Sequence, residues 1–177
     1  MITFQKIKWK NFLSTGDHWS EIDFLGHTTN LVVGTNGSGK STMLDALTFV
    51  LFNKPFRKIN KSQLVNATNE KDCVVEVEFT VNNKDYLVRR SIKPNKFDIE
   101  VNGTLLHKES DDRLNQKILE ENILKVNYKS FTQIVILGSS SFVPFMQLST
   151  SNRRDVIEDL LDIRIFSAMN NLIKEKI

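Results

Sequence analysis

Residues 34–42 read Gly-Thr-Asn-Gly-Ser-Gly-Lys-Ser-Thr and match the phosphate-binding pattern G-x-x-x-x-G-K-[ST], the P-loop. The short β-branched run at 31–33 before them predicts a buried strand, and the apolar spacing at 43–52 after them predicts a helix. Glycines let backbone N–H groups converge on an anion, and the helix points its positive end at the same place. The stretch therefore predicts a nucleotide-binding site.

Two residues of the P-loop carry predicted chemistry. Lys40 is expected to reach the β- and γ-phosphates as a point charge, and the Ser41 hydroxyl is expected to coordinate Mg²⁺. They are the candidate catalytic residues, and Ser41 is the candidate metal ligand. The candidate nucleotide-binding residues are Asn36, Gly37, Ser38, Gly39, Lys40, Ser41 and Thr42. The expected cofactors are ATP and Mg²⁺.

Composition restricts the class of protein. The chain has 177 residues, of which 40% are hydrophobic and 25% charged, as in an ordinary globular protein. Its single cysteine, Cys73, excludes a disulfide framework and suits a reducing compartment, so a cytoplasmic location is expected. No apolar run approaches the length of a membrane span, and no membrane partner is expected. The net charge of +3 is too small to indicate a partner.

Alternating apolar residues and turn signals predict a β-rich chain. Asn82-Asn83 and Asn102-Gly103 each predict a hairpin turn, within an inserted antiparallel region at about 73–107. The predicted strands are 1–11, 21–25, 31–33, 74–81, 85–92, 97–101, 104–106 and 131–137, and the predicted helices are 43–52, 111–126 and 151–177.

The last segment, 151–177, predicts one long amphipathic helix. Ser151 or Asn152 is the expected cap, and Asp155 is expected in the first turn. No stop signal lies near its end, which favours a helix that continues in the native protein over a terminal helix docked on the core. The predicted domains are therefore a nucleotide-binding lobe at 1–150 and this helix at 151–177.

Several segments together resemble a known family. They are Lys10-Asn11-Phe12, the P-loop followed by Asp45-Ala46, and the segments 43–56, 133–137 and 144–161. In these the chain resembles the N-terminal ATPase lobe of the SMC-like DNA-repair ATPases, and more narrowly the large subunits of the phage recombination exonucleases.

The resemblance implies a fold and a function. The fold would be α/β, a P-loop NTPase that forms the N-terminal lobe of an ABC-type ATPase head, with an antiparallel β subdomain and the start of a coiled-coil helix. The function would be an ATP-driven clamp that regulates a separate nuclease subunit, bound beyond about Asp155. The implied partners are a C-terminal lobe, a second head, the nuclease and double-stranded DNA without sequence preference. The location would be the host cytoplasm if the chain is phage-encoded.

Parts of the family pattern are absent or altered. The run 134–137 is not followed by Asp-Glu, so the Walker B carboxylates are expected from the C-terminal lobe. Where the family has a glutamine-bearing loop this chain has serines, and Ser141 is the candidate replacement. Leu13 stands where many relatives place an arginine. Phe12, Leu13 and Asn66 are the candidates for adenine and ribose contacts.

Basic residues offer two candidate DNA contacts. Lys6, Lys8 and Lys10 share one strand face, whereas Arg89 and Arg90 must point to opposite faces. The second cluster consists of Lys54, Arg57, Lys58 and Lys61. Either cluster alone is also typical of a solvated charged surface. The three histidines, His18, His27 and His107, are scattered without metal-ligand spacing, so no nuclease metal site is expected.

Three other functions share some of these features. A structural DNA tether of the SMC type would have the same front half without a nuclease partner. A transporter ATPase would require a signature motif within several dozen residues, and the uninterrupted final helix disfavours it. A P-loop kinase is disfavoured because no lid or acceptor-site motif is visible.

Overall fold

The computed structural model describes residues 2–27, 29–106, 112–136, 145–161 and 163–174. The chain divides into two compact units, Met1–Ile118 and Leu119–Ile177. The predicted division after residue 150 stays a prediction.

The first unit is built on a six-stranded antiparallel sheet in the order β2-β1-β3-β4-β5-β6. Its strands are β1 (Ile2–Lys10), β2 (Ser20–Asp23), β3 (Cys73–Val81), β4 (Lys84–Ile92), β5 (Lys96–Val101) and β6 (Thr104–Leu105). Both predicted hairpins are confirmed. Asn82, Asn83, Asn102 and Gly103 all have positive φ, as two-residue hairpin turns require.

The core of this unit lies between one face of the sheet and helix α1 (Thr42–Phe52), which contacts β3 and β4. Alternation along β3 places every second side chain against α1. The core residues of β3 and α1 include Cys73, Val75, Val77, Phe79, Ala46, Phe49, Val50 and Leu51, all fully buried. The expectation that Cys73 serves as a small core residue is confirmed, and burial raises the pKa of its thiol to about 12.

Arg89 and Arg90 point to opposite faces of β4, as predicted. Arg89 Nε donates to Glu76 Oε1 at 2.5 Å on the face away from α1. Arg90 is only 4% exposed, and its guanidinium carbon lies 3.6 Å from the centroid of the Phe97 ring. One of the two arginines therefore belongs to the core.

Arg90 also binds the carboxyl end of α1. Its Nε donates to the carbonyl of Val50 at 3.2 Å, and its Nη2 donates to Gln116 Oε1 at 2.6 Å. Gln116, in helix α2 (Asp112–Lys117), donates in turn to the carbonyl of Leu51 at 2.9 Å. The last turn of α1 is thus held by β4 and α2 together.

The regular structure in the described part of the second unit is helical. A π-helical segment, Ile118–Leu124, follows α2 directly. It is followed by α3 (Tyr128–Ile134), a 3-10 helix (Phe145–Gln147), α4 (Thr150–Leu160) and α5 (Arg164–Lys174). Lys129 on α3 pairs with Asp155 on α4 at 3.3 Å. In the described part of the chain, no helix is long and apolar enough to cross a membrane.

The predicted strand at 31–33 is wrong. This segment has no regular secondary structure, and Leu31, Val32 and Val33 are 87%, 45% and 81% exposed. A strand needs a neighbour to pair its backbone, and the edges of the described sheet are β2 and β6. The apolar run therefore stays unpaired among the described residues.

The predicted central strand at 131–137 is also wrong, since its described part lies in and just after α3. The helix begins after Asn127, whose side chain accepts a hydrogen bond from the N–H of Ser130. A short apolar run does not distinguish a strand from a buried helix, and here the Asn127 cap favours the helix. Leu137 lies outside the described residues.

The single helix predicted at 151–177 is interrupted. Its cap is Ser149 rather than Ser151 or Asn152, and Asp155 consequently lies beyond the first turn. α4 ends at Leu160, and the N–H of Ile163 bonds back to the carbonyl of Glu158 at 3.0 Å before α5 begins. This bond closes a wider turn than the α-helix allows and separates the two helices.

Candidate functional site: a P-loop cavity

The P-loop has the backbone that its glycines predict. Gly37 and Gly39 have φ of +86° and +90°, a region that other residues enter only at a cost. A Cβ at Gly34 would collide with Ser38 Oγ. The N–H of Thr42 donates to the carbonyl of Gly39 at 2.9 Å as the loop becomes α1. The motif is therefore a tight turn at the start of a helix.

The two candidate catalytic residues lie side by side at this turn. Lys40 Nζ donates to the carbonyls of Gly34 and Thr35, at 2.6 and 2.7 Å, so its ammonium is held over the loop. Ser41 is the N-cap of α1, but its exposed hydroxyl makes no capping hydrogen bond. A cation and an uncommitted hydroxyl thus stand next to each other.

Both residues line a cavity of about 470 Å³. Most of the predicted nucleotide-binding residues meet there: Asn36, Gly37, Gly39, Lys40, Ser41 and Thr42. Ser38 is exposed and does not line the cavity. The remaining walls come from two segments, the loop after β1 and residues 57–67, and contain Leu13, Ser14, Arg57, Ile59, Gln63, Val65 and Ala67.

The predicted base and ribose contacts have different positions. Leu13 lines the cavity, and its backbone is left-handed at φ +53°. Phe12 is fully buried, 5.7 Å from the Phe49 ring between centroids, and offers no surface to a ligand. Asn66 is 8% exposed, and its amide donates to the carbonyls of Leu13 and Thr15 at 3.2 and 3.1 Å. Asn66 therefore supports the cavity wall, and Ser141 lies outside the described residues.

Arg57, which the sequence analysis places in the second basic cluster, reaches this cavity. Asp45, fully buried in α1, accepts hydrogen bonds from Arg57 N and Nε, at 2.8 and 2.6 Å. The Arg57 Nη2 lies 2.5 Å from Asp45 Oδ2. The pair ties the basic loop after α1 to α1 and places the Arg57 side chain in the cavity wall. A charged residue inside an apolar helix pattern, as Asp45 is, was the available signal.

The lysines of β1 are ion-paired. Lys6, Lys8 and Lys10 pair with Glu21, Glu76 and Asp17 at 3.8, 2.8 and 3.4 Å. In the second basic cluster, Lys61 Nζ lies 3.2 Å from Asn95 Oδ1, and burial together with the nearby Arg90 lowers the pKa of Lys61. Because the β1 lysines are ion-paired, the interpretation of this strand face as a charged surface is favoured over a DNA contact. Within the described ranges, no cluster of three metal-ligating side chains occurs.

Comparison with known proteins places the chain in a family. It matches the family described as "AAA domain" over residues 6–177. The chain belongs to this family. Exonuclease subunit 2 of Enterobacteria phage T4 is 43% identical to this AAA-domain chain over 169 residues, which is 96% of the chain and 30% of the relative. The corresponding protein of Escherichia phage RB69 is 40% identical over 97% of the chain and 30% of the relative.

More distant relatives extend the comparison. The DNA double-strand break repair Rad50 ATPase of Methanococcus maripaludis is 32% identical over 97% of the chain and 17% of the relative. A solved SMC ATPase structure, from work on ATP-driven dimerization and DNA-stimulated activation, matches with a TM-score of 0.55 and 22% identity. The match covers 89% of this chain and 99% of that one. The predicted resemblance and the α/β fold class are confirmed, and the chain spans 30% of the length of each phage relative.

Proposed function

We propose that this chain is the nucleotide-binding part of an ATPase subunit in a DNA recombination and repair exonuclease. The observation that carries the proposal is the cavity in which the P-loop, Lys40 and Ser41 meet. The phage relatives, which are named as exonuclease subunits, support the assignment to a nuclease complex. The proposed place of action is the cytoplasm, of a host cell if the chain is phage-encoded.

The residues of the cavity fit ATP and Mg²⁺. Backbone N–H groups of the P-loop and Lys40 would bind the phosphates, and the free Ser41 hydroxyl would be one ligand of the metal. When bound, Mg²⁺ would neutralise charge on the β- and γ-phosphates. The guanidinium of Arg57, which is paired with Asp45, lies on the same wall. Phosphoryl transfer depends largely on such positioning and charge stabilisation.

The carboxylate that activates water is proposed to come from a C-terminal lobe. None of the residues that line the described cavity is acidic, and Asp45 is already committed to Arg57. The exposed apolar segment at 31–33, directly before the P-loop, supports a further lobe packing at this point. Two such heads would close on ATP and open after hydrolysis.

Helix α5 is the proposed beginning of the coiled-coil arm. Its exposed apolar residues are Ile165, Phe166, Met169, Leu172 and Ile173, which recur with helical spacing. A helix face of this kind supports packing against another helix. The nuclease subunit is proposed to bind near this arm, and DNA is proposed to bind without sequence preference.

ATP hydrolysis, with and without double-stranded DNA, tests the proposal. We would compare the chain alone, the chain mixed with its C-terminal lobe, and both with Lys40→Ala. Hydrolysis only in the mixture, lost in the variant, is the expected result. Robust hydrolysis by the chain alone would contradict the split site, and failure of a nuclease subunit to co-elute with the mixture would favour a structural tether.

A further inference from the structure

The cavity has a second wall whose chemistry differs from that of the P-loop. The N–H of Leu13 donates to the carbonyl of Leu64 at 2.7 Å, and Phe12 pairs with Val65 in an isolated antiparallel bridge. Asn66 fixes the same two segments by donating to the carbonyl of Leu13. Leu13 and Val65 are therefore held in one wall, which is apolar and built by residues distant in sequence.

Gln63 adds one polar group to this wall. It lines the cavity within the 3-10 helix Lys61–Leu64, two residues before Val65. Its Oε1 accepts a hydrogen bond from the N–H of Asn60 at 3.2 Å, which fixes the orientation of the amide. Its Nε2 has no acceptor among the described residues. The wall thus places the Gln63 amide beside the apolar side chains of Leu13 and Val65, with Ser14 and Arg57 as its other polar residues.

This combination suits a nucleobase. A base presents flat apolar faces and, at its edge, ring nitrogens that accept hydrogen bonds. Small-molecule sites are commonly apolar walls with a few fixed polar groups that provide specificity. We propose that Gln63 is the base-contacting residue of this cavity, and that its Nε2 donates to a ring nitrogen of a purine packed against Leu13 and Val65. This inference rests on the proposed function, because it takes a nucleoside triphosphate as the ligand.

The experiment compares two probes, ATP and inorganic tripolyphosphate, by titration calorimetry of the 177-residue chain. Gln63→Met removes the donor, and we expect ATP to bind about threefold to tenfold more weakly while the affinity for tripolyphosphate is unchanged. Gln147→Met is the matched control, since Gln147 is exposed in the other 3-10 helix and does not line the cavity. Equal weakening of both probes, or no effect on ATP, would overturn the inference.

A second variant controls for a local change of fold around residue 63. Gln63→Glu keeps an oxygen for the N–H of Asn60 but has no amide donor, and its added charge affects both probes. The ratio of ATP affinity to tripolyphosphate affinity should therefore fall as it does in Gln63→Met. Lys40→Ala distinguishes the phosphate site from the base contact, because it should weaken the binding of both ATP and tripolyphosphate. If neither probe binds the unmodified chain, the proposed function itself fails.

The acceptor on the base is identified by analogues. ATP is compared with ITP, in which the nitrogen at ring position 1 carries hydrogen, and with 7-deaza-ATP, which lacks the nitrogen at position 7. The analogue that lacks the contacted acceptor should bind the unmodified chain and Gln63→Met equally. The third acceptor, the nitrogen at position 3, is tested in the same way with 3-deaza-ATP. If all three analogues remain sensitive to the substitution in the same degree as ATP, a ring-nitrogen contact is excluded and the proposal is overturned.

Discussion

Asp45 and Arg57, twelve residues apart, form an ion pair in which the carboxylate is fully buried and the guanidinium is half exposed. Arg57 contributes its backbone N–H and its side chain to the same carboxylate. The pair ties the loop after α1 to α1 itself. Because Arg57 also lines the P-loop cavity, the shape of that cavity depends on a contact inside the core.

Loss of Arg57 should destabilise the chain through Asp45. Arg57→Ala leaves a buried carboxylate without its main donors, and we expect the free energy of unfolding to fall by about 1–3 kcal/mol. Asp45→Asn combined with Arg57→Ala should regain stability, since the remaining group is then neutral. Urea denaturation of the two single variants and the double variant measures this coupling. Additive losses would show that the pair does not act as a unit.

Substitution of Gly37 should show the cost of backbone strain and the loss of phosphate binding as two distinct effects. Gly37→Ala places a Cβ at φ +86° with no neighbour within 4 Å, so we expect a loss of about 1–2 kcal/mol from conformation alone. Gly103→Ala, at φ +76° in the β5–β6 turn and equally open, is the matched control. Both should lose similar stability in denaturation, but only Gly37→Ala should weaken ATP binding in calorimetry. If Gly37→Ala and Gly103→Ala changed the affinity for ATP equally, the P-loop backbone would not be the phosphate site.

Glu76 should make stability depend on acid pH. Burial acts to raise its pKa, but hydrogen bonds from Lys8 and Arg89 outweigh burial, and the net pKa lies below the ordinary value for glutamate. A lowered pKa contributes stability above the unfolded-state value, about 4.3, and this contribution is lost as pH falls through the folded-state value. The stability difference between the unmodified chain and Glu76→Gln should therefore shrink below about pH 4.

A neighbouring substitution controls for charge in that comparison. Glu78→Gln removes one negative charge from the same strand without breaking the ion pairs of Glu76. Thermal unfolding from pH 7 to pH 3 would be measured for all three proteins. A constant difference between Glu76→Gln and the unmodified chain over this range would contradict the assigned pKa direction.

Arg90 should be difficult to replace even by lysine. Arg90→Lys keeps a positive charge, but one ammonium cannot reproduce the planar fork that reaches Val50 and Gln116 while lying against Phe97. We expect a loss of about 1–3 kcal/mol in urea denaturation, because buried acceptors lose their donor. Arg90→Met has neither charge nor hydrogen-bond donors, so its stability in the same assay measures the contribution of packing alone. Full stability in the lysine variant would show that charge, not geometry, is what the core requires.

Local signals explain which parts of the fold were predictable. The hairpins follow from strict alternation and from asparagine and glycine at the turns, both contained within a few residues. The P-loop is likewise a local motif. In contrast, the run at 31–33 has strand composition, but pairing depends on a neighbour that no local pattern encodes. The helix at Tyr128–Ile134 depended on one cap, Asn127, which the apolar run obscured.

The cavity was predictable only on its P-loop side. The other wall requires residues 57–67 to fold back over the motif, and that path is set by Asp45 and by the bridge between Phe12 and Val65. Such contacts join positions 12 to 53 residues apart, where periodicity carries no information. The sequence pattern consequently places Arg57 in a basic cluster, a candidate DNA contact or a solvated charged surface, and it does not indicate Gln63.

The anchoring of α1 at its carboxyl end has a mechanical consequence. The eleven residues of the helix span about 16 Å, with the P-loop at one end and the carbonyls bound by Arg90 and Gln116 at the other. A helix fixed at this end is expected to move as one rigid element. A displacement of the P-loop along the helix axis would therefore act on the groups of β4 and α2 that hold the other end of the helix within the same unit.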